Sequence, residues 1–147
     1  MKRFSFRLQR ILDLRAASEK ARLADFGREQ QRLFAEQQKL DLFVGEQITQ
    51  IAEMRVGRSQ PFAVWWQTME SRYLGRIGRV IEFQQQRVHT QTERTEGARG
   101  RYLDARRDTH VMENLRDKKR EEWNQDVLRE EGKILDEVGS RKRGEGS

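Results

Sequence analysis

The side chains that could do chemistry in this chain are two histidines and several pairs of neighbouring acids. His89 and His110 lie far apart in the sequence, and there is no cysteine to serve as a nucleophile or a soft metal ligand. The sequence contains no His-x-x-x-His pair, no Gly-x-Ser-x-Gly turn and no phosphate-binding loop. Acidic pairs such as Glu121–Glu122 are typical of the solvated face of a helix. We therefore expect no enzyme activity, no metal and no cofactor.

The composition favours long helices over a compact globule. Of 147 residues, 37% are charged and 35% hydrophobic, and there is one proline. Such a chain cannot bury a thick core, but it can bury a narrow stripe along a long helix. Disorder is the competing interpretation, although large apolar residues recur along nearly the whole length. The net charge of +6 permits an anionic partner without requiring a nucleic acid.

The N-terminal stretch FSFRLQRILDLR is too charged for a targeting segment. Arg7, Arg10 and Asp13 interrupt what would have to be an apolar signal-peptide core. No run of about 18 apolar residues occurs elsewhere, so no membrane-spanning helix is predicted. We expect a cytoplasmic protein that does not insert into the membrane.

The strongest break lies in MRVGRSQPF, where Gly57, Ser59 and Pro61 come close together. Ser59 is suited to cap a following helix. We predict an all-α single coiled-coil domain covering 1–147. It comprises helix 1 at about 5–56, a turn at about 57–61, helix 2 at about 62–138 and a basic flexible tail at 139–147.

Apolar residues spaced by three and four predict the buried seam of each helix. In helix 1 the predicted seam is Leu23, Phe26, Gln30, Leu33, Gln37, Leu40, Val44, Gln47, Ile51 and Met54. In helix 2 it has three phases, separated by slips in the heptad pattern. The first is Trp66, Met69, Tyr73, Val80 and Phe83. The second is Val88, Gln91, Thr95, Ala98, Tyr102, Ala105, Thr109 and Met112, and the third is Trp123, Val127 and Ile134.

A short break between two such helices predicts an antiparallel hairpin with an overhanging C-terminal helix. With the tip near Ser59, Phe4 would lie beside residue 114, and helix 2 would overhang by roughly twenty residues. The apolar residues of this overhang are Leu115, Trp123, Val127, Leu128, Ile134, Leu135 and Val138. Exposed apolar residues at this density indicate a binding partner. The alternatives are that the overhang folds back or pairs with another copy.

Charge favours a protein partner over a nucleic acid. The stretch from Glu113 to Glu137 contains nine acidic and six basic residues. This mixed, mildly acidic pattern suits a protein binding site with charges of both signs. The basic clusters near the termini could contact phosphates, but no aromatic–basic platform for bases accompanies them. Past the turn, Phe62, Trp65 and Trp66 form an aromatic cluster. We predict that Trp66 is on the seam and that Trp65 is exposed, where it could anchor a partner.

Two stretches of the chain resemble a known family. FRLQRILDLR at Phe6–Arg15 resembles the opening of the flagellar export protein FliJ family. ARRDTHVMENLRDKKREEW at Ala105–Trp123, followed by LDE at Leu135–Glu137, resembles that family's C-terminal block. The resemblance implies a cytoplasmic antiparallel coiled coil that acts as the central stalk of the hexameric flagellar export ATPase. It also implies contact with the cytoplasmic region of the export-gate membrane protein, and with export chaperones, at the inner face of the membrane.

Carried onto this chain, the resemblance assigns residues to two partners. The ATPase-binding residues would be Phe6, Arg7, Leu8, Gln9, Arg10, Leu115, Lys118, Lys119, Glu122, Trp123 and Ile134. The gate-binding residues would be Trp65, Trp66, Met69 and Tyr73. Three other interpretations stay open: the equivalent stalk of a virulence-type secretion system, a self-associating coiled-coil scaffold, and a hairpin that binds nucleic acid without specificity.

Overall fold

A computed structural model of the chain describes residues 2–57 and 64–146. Helix α1 spans Gln9–Gly57 and helix α2 spans Val64–Glu145, with no strand among the described residues. The two helices pack against each other and run antiparallel, which confirms the predicted all-α hairpin. Ser59, Pro61 and Phe62, which carried the predictions about the turn, lie outside the described residues. No helix in the described ranges has the length and apolar character needed to cross a membrane.

The chain divides into two compact units. Unit 1 comprises Met1–Lys20 and Leu103–Ser147, and unit 2 comprises Ala21–Tyr102.

Helix α1 begins at Gln9, later than the predicted start near residue 5. The Gln9 backbone N–H donates to the Phe6 carbonyl at 3.0 Å, which closes a turn, and the Leu12 N–H donates to the Leu8 carbonyl at 3.0 Å. The Gln9 side chain donates to Asp13 Oδ1 at 2.9 Å. Residues 2–8, called here the N-terminal segment, are therefore not helical.

Helix α2 continues to Glu145, so the prediction that it ends at 138 and gives way to a flexible tail is wrong. Lys142 and Arg143 occupy the last turn, where positive charge is favourable against the helix dipole. The Ser140 hydroxyl donates to the Asp136 carbonyl at 2.8 Å within the helix. Gly75, Gly78 and Gly100 lie inside α2 with no atom within 4 Å of an added Cβ. No close packing therefore requires a glycine at these three positions.

In unit 2, the α2 seam follows a single heptad pattern. The prediction for Val88–Tyr102 is confirmed, because Gln91, Thr95 and Ala98 are buried there. The pattern continues toward the start of α2 through Gln84, Ile81 and Ile77 without a slip. The predicted first phase is wrong: its residues, Trp66, Met69, Tyr73, Val80 and Phe83, are all exposed. That prediction rested on the large aromatic side chains. The seam is instead formed by residues one position later, such as Ile81 and Gln84.

The α1 seam of unit 2 agrees with the prediction at six of its ten positions. Met54 is buried, and Phe26, Leu33, Leu40, Val44 and Gln47 are half-buried. The predicted Leu23 is exposed, and so are Gln30, Gln37 and Ile51. Glu29, Glu36 and Gln50, each one position earlier, are half-buried instead.

Hydrogen bonds from two glutamines of α2 explain why Glu29 and Glu36 lie at the seam. The Gln84 amide donates to Glu36 Oε2 at 2.6 Å and to the Glu36 carbonyl at 2.9 Å. One heptad along, Gln91 donates to Glu29 Oε2 at 2.5 Å and to the Glu29 carbonyl at 3.2 Å. Buried polar groups are tolerated when they are hydrogen-bonded, and the described residues contain no buried side-chain N or O atom without a partner.

In unit 1, Leu12, Thr109 and Met112 are buried, which confirms the end of the predicted second phase. Arg15 Nη1 pairs with Asp108 Oδ2 at 3.2 Å across the two helices. Phe4 lies against Trp123, so its predicted position beside residue 114 is wrong. A non-helical segment advances up to about 3.3 Å per residue, against 1.5 Å in a helix, and therefore reaches further along α2. Asp126 is the last residue of α2 that lines a groove beside the N-terminal segment, and we call the part of α2 beyond it the overhang.

Candidate functional site

The N-terminal segment is attached to α2 of unit 1 by an aromatic contact. The Phe4 ring lies 6.0 Å from the Trp123 ring, centre to centre, with the planes inclined by 59°. The Arg120 guanidinium lies over the same Phe4 ring at 5.3 Å from its centre. A tilted aromatic pair and a cation–π contact each stabilise such a packing by about 0.5–1.5 kcal/mol. In the sequence, Phe4 and Phe6 flank Ser5, so apolar and polar residues alternate as they do in an extended chain that packs one side against a neighbour.

A groove of about 520 Å³ runs between the N-terminal segment and α2. Its apolar lining includes Phe6, Leu8, Leu115 and Trp123. Its charged lining combines basic Arg7 and Lys119 with acidic Glu122 and Asp126. The Lys119 ammonium lies 3.3 Å from Glu122 Oε2 on the same helix. An apolar floor with charges of both signs suits a protein segment that carries apolar and charged side chains.

The groove brings together seven of the eleven residues predicted to bind an ATPase. They are Phe6, Arg7, Leu8, Leu115, Lys119, Glu122 and Trp123. The other four are not in its lining. Gln9 opens α1, Arg10 and Lys118 are exposed, and Ile134 lies in the overhang with 60% of its surface exposed. Sequence reasoning missed Phe4, Ser5 and Asp126, which also line the groove.

The aromatic residues near the start of α2 form a separate exposed cluster in unit 2. Trp65 and Trp66 meet edge to face, with centres 5.6 Å apart and planes at 88°. Trp65 is 61% exposed, as predicted, but Trp66 is 42% exposed and not in the seam. Met69 and Tyr73 are exposed on the same helix. All four predicted gate-binding residues are therefore accessible.

Tyr73 also borders a groove on α1 that sequence reasoning missed. It has a volume of about 800 Å³ and is lined by Gln38, Asp41, Leu42, Gly45, Glu46, Thr49 and Gln50 together with Tyr73. Leu42 is exposed, and nothing lies within 4 Å of a Cβ added at Gly45. The sequence feature that could have indicated this groove is Leu42, a large apolar residue outside the predicted seam.

The two histidines of the chain each lie beside one acidic residue of α2. His89 Nε2 lies 3.1 Å from Glu93 Oε1, and His110 Nδ1 lies 3.9 Å from Glu113 Oε2, each pair on one exposed helix face. Within the described residues, no group of three or more His, Cys, Asp or Glu side chains could hold a metal ion.

Comparison with known proteins finds one family that matches most of the chain. The family model described as flagellar FliJ protein matches residues 4–144. The chain belongs to the FliJ family. No curated protein and no solved structure matches it. As a FliJ-family chain it has a role related to flagellar protein export, and the match includes residues 4–8 of the N-terminal segment and the overhang as far as residue 144.

Proposed function

We propose that this FliJ-family chain is the central stalk of the flagellar export ATPase. The groove between the N-terminal segment and α2 docks in the pore of the hexameric ring and favours the assembled ring over free subunits. The chain acts in the cytoplasm, at the inner face of the membrane, as a non-catalytic component.

The observation that supports this proposal most is the convergence of seven predicted ATPase-binding residues on one groove. Those residues come from two stretches about a hundred positions apart in the sequence. The exposed overhang extends this surface with Leu128, Ile134 and Leu135. We expect the pore of the ring to present apolar and charged side chains that complement this surface.

The second contact in the proposal is with the cytoplasmic region of the export-gate protein, and it uses the exposed Trp65, Trp66, Met69 and Tyr73. Aromatic side chains supply much of the binding energy of protein interfaces. Binding at both sites couples nucleotide turnover in the ring to the gate. We include export chaperones among the partners on the family resemblance alone.

The test is the activity and ring formation of the purified export ATPase with and without this chain. We expect both to rise when the chain is added at about micromolar concentration. The double variant Trp123→Ala, Ile134→Ala should lose most of the effect while keeping its helical signal. Val111→Ala removes an exposed apolar residue outside the groove and serves as the control. No change in activity or in ring formation would refute the stalk function.

A further inference from the structure

Two exposed faces of α2 have matching patterns. In unit 2, Tyr73, Arg76, Val80 and Phe83 follow a heptad spacing and are exposed; we call this the basic face. In unit 1, Leu128, Glu131, Leu135 and Val138 repeat the same spacing in the overhang. Leu128 is 66% exposed and Leu135 is 72% exposed. We call this second set the acidic face.

The two faces carry opposite charges. Between residues 72 and 87 there are four arginines and one acid. Between residues 126 and 138 there are five acids and two basic residues. Each face has a charged residue at its second position, Arg76 in one and Glu131 in the other, and neither has an ion-pair partner among the described residues.

We propose that the occupant of each face is the other face of a second copy of this chain. Both faces belong to the continuous helix α2, so their pairing takes two copies. In a parallel alignment Tyr73 meets Leu128, Val80 meets Leu135 and Phe83 meets Val138. Arg76 then meets Glu131, which places one ion pair between apolar layers, a device that fixes register in coiled coils.

The other alignments leave charges without partners. Antiparallel pairing of the two faces puts Arg76 against Leu135 and Glu131 against Val80. Pairing the basic face with itself puts Arg76 against Arg76 in the parallel case and against Val80 in the antiparallel case. An ion buried against an apolar side chain is strongly unfavourable, so charge selects the parallel pairing of unlike faces.

The pairing joins different surfaces of the two copies, so it is heterologous and leaves one face of each kind open at the ends. The pairing uses none of the groove residues, but Leu128 and Leu135 also belong to the overhang part of the proposed ATPase-binding surface, and Tyr73 to the proposed gate contact. Self-association would therefore compete with those contacts. The inference goes beyond the proposed stalk function and can be tested with the purified chain alone, in the absence of the ATPase and the gate protein.

The experiment measures the mass of the full chain by analytical ultracentrifugation as a function of concentration. We expect the average mass to rise above the 17.6 kDa of the single chain as the concentration increases. Arg76→Glu and Glu131→Arg should each weaken this association by about tenfold or more, because like charges then face each other. Arg106→Glu makes the same charge change at an exposed position on neither face, and should have no effect.

The decisive sample is an equimolar mixture of the two single variants. In the mixture each copy finds a complementary partner, so association should return although neither variant associates alone. The double variant Arg76→Glu, Glu131→Arg should also associate by itself. Circular dichroism must show the same helical content in every variant. A chain that stays monomeric to about 1 mM, or a mixture that does not recover, overturns the proposal and assigns these faces to another protein.

Discussion

A single amide nitrogen of Gln84 holds Glu36 by two hydrogen bonds, 2.6 Å to Oε2 and 2.9 Å to the backbone carbonyl oxygen. Gln84 is buried, and Arg87 adds an ion pair to Glu36 Oε1 at 3.3 Å. The Gln84 amide thus connects the side chain and the backbone of α1 to α2. Gln91 repeats the arrangement with Glu29 one heptad away.

We predict that Gln84→Ala lowers the free energy of unfolding by about 1–3 kcal/mol, because it leaves Oε2 of the half-buried Glu36 carboxylate and the Glu36 carbonyl without their donor. Urea unfolding followed by circular dichroism measures the change. Gln85→Ala is the matched control, since Gln85 is exposed and should change stability by less than about 0.5 kcal/mol. Equal losses in the two variants would contradict a specific role for the Gln84 hydrogen bonds.

Glu36 gives stability a dependence on pH. The hydrogen bond from Gln84 is the main cause that lowers the pKa of Glu36 below its ordinary value; burial opposes it, and the positive charge of Arg87 adds a smaller lowering effect. A lowered folded-state pKa means that the stabilisation is present above the unfolded-state pKa and is lost as the pH falls through the folded-state value. We therefore predict acid destabilisation below about pH 4.5.

The measurement for this prediction is the unfolding midpoint in urea between neutral and acidic pH. In Glu36→Gln the midpoint should fall less steeply with acid than in the natural chain, because position 36 no longer titrates. Asp41→Asn removes an exposed carboxylate elsewhere on α1 and should leave the acid dependence nearly unchanged. If the pH profiles of the natural chain and Glu36→Gln coincide, Glu36 is not the responsible group.

Phe4→Ala should release the N-terminal segment from α2 without loss of helix, because Phe4 precedes the first residue of α1. The removed packing is worth about 0.5–1.5 kcal/mol. In a Trp65→Phe, Trp66→Phe background the fluorescence of Trp123 should shift to longer wavelength, since its ring becomes more exposed to water. Ser5→Ala should cause no shift. An unchanged Trp123 spectrum in Phe4→Ala would show that the aromatic contact does not hold the segment in solution.

Arg7 and Arg10 should differ in their effect on ATPase binding. Arg7 lines the groove, whereas Arg10 is exposed outside its lining. We predict that Arg7→Glu weakens binding to the export ATPase by about tenfold, and that Arg10→Glu changes it less, with titration calorimetry as the measurement. The two variants carry the same change in charge, so each controls for the other. A larger effect of Arg10→Glu would move the contact away from the groove.

The helices and the family could be predicted from the sequence because both depend on patterns spread over many residues. A regular spacing from Val88 to Met112 correctly gave the buried face of that part of α2. At the start of α2 the spacing of apolar residues predicted the wrong face. Tyr73 and Phe83 are exposed there, and Ile77 and Ile81 are buried. Two apolar stripes lie side by side there, and hydrophobicity alone cannot say which of them faces the partner helix.

The inward positions of Glu29 and Glu36 could not be predicted for a different reason. A carboxylate at a seam is unfavourable unless a donor is present, and the donors, Gln91 and Gln84, are more than forty residues away. No groove was predicted, but the family resemblance assigned Phe6, Leu115 and Trp123 to one contact, and all three line the groove. Its shape depends on the non-helical path of the N-terminal segment, which a helix-spacing argument does not contain.

The Gln–Glu hydrogen bonds recur after seven residues on both helices. Changes in the length of unit 2 therefore preserve these pairs only if they come in steps of seven residues. Removing seven residues from each helix would shorten it by about 10 Å and keep every remaining side chain on its face. Inserting one residue in one helix would instead turn all later side chains by about 100° and separate each acid from its amide. Length in this part of the molecule is thus open to evolutionary change in matched steps, while phase is not.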